Sequence, residues 1–245
     1  MRKSIALSSA ILLASVVSPA LAQEAPPSDI TISGGATLVS DYRFRGISQT
    51  NKRAAVQGTF TVSHTSGFYA TVWGSSVDRY IYDNSQEIDL IAGYKHSFGG
   101  TTLDVGVLYY YYPNSGFKNS DFAEPYASVS HTLGPVTGKL SAAYAPKQQA
   151  LSLDNVTKRD SLYIAGDLSA AIPQTPLSLS AHLGRSFNRS YLTFGEKYTD
   201  WSVGASYTWK SLTLGVSYVD TNKDLFNGTR NISKAGVVGT IGVAF

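Results

Sequence analysis

The chain of 245 residues contains no cysteine and a single methionine. Without cysteine there is no disulfide framework, no thiolate metal centre and no thiol nucleophile. Charge is also scarce. Asp, Glu, Lys and Arg make up 15% of the residues, with 20 basic against 17 acidic. No basic run marks a nucleic-acid partner. There are four histidines, and no two of them share a ligand spacing, so no metal is expected and no cofactor is implied. Past the first 22 residues, no apolar run approaches the ~20 residues that a helix needs to span a bilayer.

The first 22 residues are a separate matter. MRKSIALSSAILLASVVSPALA has a basic start at Arg2 and Lys3, an apolar core from Ile5 to Val17, and a small-x-small site at Ala20-Leu21-Ala22. This is the pattern of a secretory signal peptide. The apolar core is too short for a membrane anchor. Its removal lowers the formal charge from +3 to about +1. Residues 23–29 read as a polar, flexible lead-in, and residues 30–245 as a single domain.

That domain is rich in Tyr (16) and Gly (22). The whole chain's mean hydropathy of −0.06 is that of a soluble protein. A transmembrane barrel has the same average, because lipid-facing and lumen-facing residues alternate and cancel. Alternation is present nearly throughout. Ile30, Ile32, Gly34, Ala36, Leu38, Tyr42 and Phe44 share one face. So do Leu103, Val105, Val107, Tyr109 and Tyr111, and so do Leu212, Leu214, Val216 and Tyr218. These period-2 strands run for about ten residues. Five short turns (Ser66-Gly67, Gly99-Gly100, Gly134-Pro135, residues 173–176 and Lys210-Ser211) alternate with six longer polar loops. A soluble β-sandwich has no reason to segregate its connections in this way. The expected fold is all-β: a closed antiparallel transmembrane β-barrel of about twelve strands in a bacterial outer membrane, with both termini periplasmic.

Aromatic residues sharpen the expectation. Tyr42, Phe44, Tyr109, Tyr111, Tyr144, Trp201 and Tyr218 fall on the outward phase near the long loops. Phe98, Tyr207, Trp209 and Phe245 fall near the short turns. Two such girdles match the two bilayer interfaces. Phe245 ends the closing strand and is the expected signal to the outer-membrane assembly machinery.

The stretches SDYRFRGISQT (40–50), AVQGTFTVSHTSGFYATVWGSSVD (55–78) and EIDLIAGY (87–94) resemble the TorF family of porins. The resemblance is concentrated before residue 95. It implies an outer-membrane barrel with a channel role, and it does not extend to a solute.

The lumen face follows from the turns. With Gly99-Gly100 as a two-residue hairpin loop, Lys95 lies opposite Asp104, Asp89 opposite Tyr110, and Glu87 opposite Tyr112. The same reasoning at Ser66-Gly67 places Phe60 beside Trp73 on the outside. The residues expected to line a pore are Asp41, Arg43, Arg45, Glu87, Asp89, Glu124 and Asp200 toward the mouth, then Lys95, Asp104, Lys139 and Asp167 deeper, with His182 between them. Tyr110, Tyr112, Tyr126 and Tyr163 also point inward, where rings can stack on planar solutes. The expected function is passive diffusion of small polar solutes or ions, with lipid as the surrounding partner. Two alternatives remain open at this stage. One is a barrel whose lumen is plugged by side chains. The other is a lipid-acting enzyme built on Ser180, His182 and Asp167, although no oxyanion motif accompanies that trio.

Overall fold

The computed structural model describes residues 28–113, 115–116 and 119–245. The expected signal peptide and residues 23–27 of the lead-in lie outside the described residues. Twelve strands form one closed antiparallel barrel. They are β1 Ile30–Val39, β2 Ala55–His64, β3 Phe68–Ser76, β4 Gln86–Phe98, β5 Thr101–Tyr111 and β6 Phe122–Leu133. The second half is β7 Val136–Gln148, β8 Arg159–Ala171, β9 Leu177–Ser186, β10 Tyr198–Trp209, β11 Leu212–Thr221 and β12 Gly236–Ala244. Each strand pairs with its neighbours in sequence, and β1 closes the barrel on β12 through Gly35↔Ala244 to Val39↔Thr240. Closure leaves no sheet edge with unsatisfied backbone groups, as hydrocarbon surroundings demand.

Both faces follow from the alternation. Ile32, Leu38, Leu90, Val105, Leu140, Leu168, Val203, Val216 and Ile241 are all exposed on the outer wall. Tyr109, Tyr111, Tyr144 and Tyr218 ring its long-loop end, and Phe98, Tyr207, Trp209 and Phe245 ring its short-turn end. A continuous apolar band of this kind is a lipid-facing surface, not a solvated one. The inner wall carries hydroxyls and charges. Near the short turns these include the cross-strand pairs Thr61–Thr71 at 2.8 Å, Thr132–Thr137 at 2.9 Å and Thr208–Thr213 at 3.2 Å.

The Gly99-Gly100 turn sets the expected register, with Phe98↔Thr101, Lys95↔Asp104 and Asp89↔Tyr110. Both glycines have positive φ, the geometry that matches strand twist in a two-residue hairpin. The turn at Ser66-Gly67 differs from expectation. It has three residues, with the Gly67 N–H donating to His64 O at 2.9 Å. The register therefore moves by one. Phe60 pairs with Val72 on the outside, and Trp73 turns inward opposite Thr59.

A second departure is larger. Strand β1 stops at Val39, and residues 40–53 fold into the barrel. Tyr42 and Phe44 therefore leave the outer girdle assigned to them by alternation and pack inside it.

Candidate functional site

The inward segment is a small hairpin. Arg43 and Phe44 pair with Ser48 and Ile47 across a turn at Arg45-Gly46, where φ is +49° and +80°. Gly46 is required twice over. Its φ is left-handed, and a Cβ there would lie 2.5 Å from Thr221 Cγ2 on β11 and 2.9 Å from Asp200 Cβ on β10. The hairpin thus reaches from β1 past β12 to β11 and β10.

Its side chains anchor it on all sides. Asp41 accepts from Arg43 Nε at 2.6 Å and from Ser48 Oγ at 2.5 Å. Arg43 also donates to Gly46 O at 2.9 Å. Tyr42 OH donates to Glu87 Oε1 at 2.8 Å, and Tyr112 OH donates to Glu87 Oε2 at 2.6 Å. Phe44 meets Tyr110 edge-on at 6.0 Å. Arg45 donates through one nitrogen to both oxygens of Glu124 at 2.8 Å, and Tyr110 OH donates to the same carboxylate at 3.0 Å. The Arg45 guanidinium also lies over Tyr163, 4.3 Å from its ring centroid. Ile47 is fully buried against Tyr198, Leu225 and Ile232.

Other external loops close around this hairpin. Tyr82 packs at a tilt against Tyr112 at 4.6 Å and Tyr191 at 4.5 Å, and donates to Ala150 O at 2.8 Å. Burial pushes the Tyr82 phenol well above its usual range. Lys52, on the same first loop, is lowered by burial and then by the nearby Arg43 guanidinium. Arg53 pairs with Asp78 on the second loop. The result is a packed mouth in which Asp41, Arg45, Glu87, Asp89, Glu124 and Asp200 are all buried.

Beneath the mouth the lumen is looser. Lys95 Nζ stands 3.6 Å from Asp104 Oδ2, with the lysine 26% exposed. Tyr69 OH donates to Asp104 Oδ1 at 2.7 Å, and the Lys95 ammonium sits 4.3 Å above the Tyr69 ring. Lys139 lies directly across from Asp167 on β8, whose side chain is 40% exposed. Tyr69 and Tyr126 lie flat on the wall, since Gly93 and Gly106 opposite them leave no Cβ in the way.

His182 joins the two levels. Its Nδ1 is 2.7 Å from Asp167 Oδ1, and its Nε2 is 3.0 Å from Asp200 Oδ2 and 2.9 Å from Tyr163 OH. Both ring nitrogens are therefore committed. Ser180 lies one inward position away on β9, but the trio with His182 and Asp167 does not assemble as nucleophile and base, because Nε2 faces Asp200 and Tyr163. Among the described residues, no group of three or more His, Cys, Asp and Glu side chains is placed to hold a metal ion.

The structure thus brings Asp41, Arg43, Arg45, Glu87, Asp89, Tyr110, Tyr112, Glu124 and Asp200 into one layer. Lys95, Asp104, Lys139 and Asp167 lie below it, and His182 lies between. The sequence reading missed the lumenal roles of Tyr42, Phe44 and Trp73, and the loop tyrosines Tyr82 and Tyr191. One signal was present. Arg45-Gly46 between short alternating arms, RF and IS, is a tight-turn sequence placed where a strand was assumed to end.

Comparison with known proteins fits this architecture. The chain belongs to the Gcw_chp family of bacterial proteins of unknown function, whose model matches residues 23–245. No curated protein sequence matches it. The structure is similar to the NanC porin, with a TM-score of 0.58 at 14% identity over 88% of this chain and 99% of that one. It is also similar to an outer membrane channel from Pseudomonas putida F1, with a TM-score of 0.51 at 12% identity over 90% of this chain and 96% of that one. At such identities the likeness is one of fold.

Proposed function

We propose that the protein is an outer-membrane channel for passive diffusion of small polar solutes and ions, exported by a signal peptide spanning residues 1–22. The observation that carries this reading is a closed barrel with an apolar outer wall and a charged, partly solvated interior. A barrel serving only as an anchor has no use for Lys95, Asp104, Lys139, Asp167 and His182 on its inner wall. The fold shared with porins and the resemblance of residues 40–94 to TorF porins point the same way. On this reading the inward hairpin makes the channel narrow, and the charged and tyrosine side chains of the inner wall line it.

Liposome swelling with purified, refolded protein tests the function. Swelling is expected to be fast in the smallest neutral solutes and to fall steeply with solute size. Swelling no faster than in protein-free liposomes contradicts it. The buried packing of the mouth favours one second reading, a plugged barrel, and that outcome would support it. The role of Phe245 is tested separately. Its backbone exchanges hydrogen bonds with Gly34 at 3.0 and 2.9 Å, and its ring is 72% exposed at the short-turn girdle. Removing Phe245 is expected to lower the outer-membrane yield of heat-modifiable barrel. An unchanged yield removes it as an assembly signal.

A further inference from the structure

We propose that the outer wall at the long-loop end of β8–β10 binds the phosphate headgroup of an outer-leaflet lipid, with Arg185 as the anchor. The site needs the barrel to stand in its membrane and is independent of whether the lumen conducts.

Basic side chains are rare in the strands, and one of them is out of place. Within the twelve strands, Lys and Arg occur at Lys95, Lys139, Lys147, Arg159 and Arg185. Lys95 and Lys139 face the lumen, and Arg159 shares the inward phase of Ser161 and Tyr163. Lys147 lies beside Gln148 at the irregular end of β7. Arg185 stands on the outward phase, between Leu183 and Phe187, which are both exposed on the outer wall. Its cross-strand partners are Ile164 on β8 and Thr199 on β10. Toward the short turns, the next outward pair is Leu183↔Trp201. Toward the loops, the next outward row holds Leu162, which pairs with Tyr144 of the girdle and accepts from the Phe187 N–H at 2.9 Å. Arg185 is therefore set one outward position inside the aromatic edge of the apolar wall.

A guanidinium on the lipid face is unfavourable in hydrocarbon and is tolerated where its arm reaches the headgroups. Arg185 Nη1 donates to Thr199 Oγ1 at 2.9 Å. No carboxylate among the described residues pairs with it. The outward acids nearby have other partners. Asp160 accepts from Tyr144 at 3.3 Å and from Asn188 at 3.1 Å. Asp220 accepts from Tyr218 at 3.5 Å, and Glu196 stands 3.9 Å from Lys223. The other charges beside Arg185 share its sign. Lys197 and Phe187 directly follow the pair Ser186↔Tyr198, and Arg189 lies two residues beyond Phe187. Both cations are exposed, and neither forms an ion pair among the described residues.

The surroundings select the occupant. A guanidinium offers N–H donors in a planar fork that matches phosphate oxygens, and Lys197 and Arg189 add positive charge on the loop side. On the membrane side lie Leu183, Trp201 and the exposed Val203, a floor suited to acyl chains. A phosphate carried on a lipid meets both halves of this surface. A free phosphate gains nothing from the apolar floor, and a soluble partner has to enter the plane of the membrane to reach Arg185.

The test uses the full mature chain refolded in dodecyl maltoside. Lipid A with its phosphates is titrated in, bound lipid is counted by native mass spectrometry, and thermal unfolding is read in parallel. The comparison ligands are the same lipid after phosphatase treatment, and inorganic phosphate. A saturable lipid adduct and a rise in Tm are expected with the phosphorylated lipid. Arg185→Gln is expected to weaken binding about tenfold, the loss of charge-assisted hydrogen bonds to phosphate. Arg185→Lys should fall between that variant and the parent. Lys210→Gln, which removes an outward cation at the short-turn end, should bind as the parent does. Arg189→Gln combined with Lys197→Gln keeps the anchor and should also bind more weakly, so the site stays testable if Arg185→Gln fails to fold. Equal binding of the dephosphorylated lipid overturns the site, and so does an equal loss in Lys210→Gln. Inorganic phosphate that displaces the lipid and raises Tm as much overturns the lipid assignment, since the ligand is then a free anion. A barrel that binds the lipid through Arg185 yet conducts nothing overturns the channel reading and leaves this site standing.

Discussion

Arg45 and Glu124 meet at 2.8 Å with side chains only 2% and 3% exposed, whereas Lys95 and Asp104 stand 3.6 Å apart with the lysine in partial contact with solvent. Both are lumenal ion pairs between a basic residue and a carboxylate. They lie at different levels of one barrel and do different work. In the mouth, loops fold inward and bury the charges, so most of them depend on a fixed partner. In the chamber below, water shares the task, and any one pair matters less. A charge pair strengthens as its surroundings dry, and so does the penalty for breaking it. The mouth is therefore the rigid level of the barrel, and the chamber the more forgiving one.

The largest effect should come from breaking the mouth pair. Arg45→Ala leaves Glu124 buried without its counter-charge, a loss on the order of 3–5 kcal/mol for a buried pair. Urea unfolding of the refolded barrel should show it as a clear fall in midpoint, and an unchanged midpoint would mean that the mouth is wetter than its burial implies. Next is Tyr163→Phe, at the join between the levels. Its hydroxyl serves Asp200 and His182, and hydrogen bonds to charged groups are worth about 1.5–3 kcal/mol each. The same unfolding assay checks it, and a loss near zero would place water at that carboxylate. The smallest effect belongs to the chamber. A double-mutant cycle on Lys95→Met and Asp104→Asn should return about 0.2–1 kcal/mol, screened by salt. A coupling as large as that of Arg45 with Glu124 would erase the distinction between the two levels.

The barrel itself was readable because its signal is repeated. Twelve alternating stretches separated by short and long connections report the same architecture many times, and a single turn at Gly99-Gly100 sets both faces of a hairpin. Single events were harder to read. At Ser66-Gly67 the loop takes one residue more than the dipeptide suggests, and a shift of one turns Trp73 from lipid to lumen. The hairpin at 40–53 was hidden for a different reason. Its arms continue the alternation of β1, so period alone extends the strand through Tyr42 and Phe44. What ends the strand is tertiary. Glu87, Tyr110, Glu124 and Asp200 come from strands distant in sequence, and only together do they offer Tyr42, Phe44, Arg45 and Gly46 a place inside. Assigning inward charges to a pore lining followed from the lipid cost of any other placement, roughly 2–4 kcal/mol at mid-membrane. How those charges pair at the mouth depends on the hairpin and was not legible without it.

The central claim is that this barrel conducts and that residues 43–48 restrict it. Single-channel recording in planar bilayers, comparing the native protein with a form in which residues 43–48 are replaced by a Gly-Gly bridge, tests it most directly. The native protein is predicted to give small, discrete conductance steps, and the shortened form larger steps with weaker ion selectivity. Equal conductance in the two forms, or none in either from folded protein, would contradict the account.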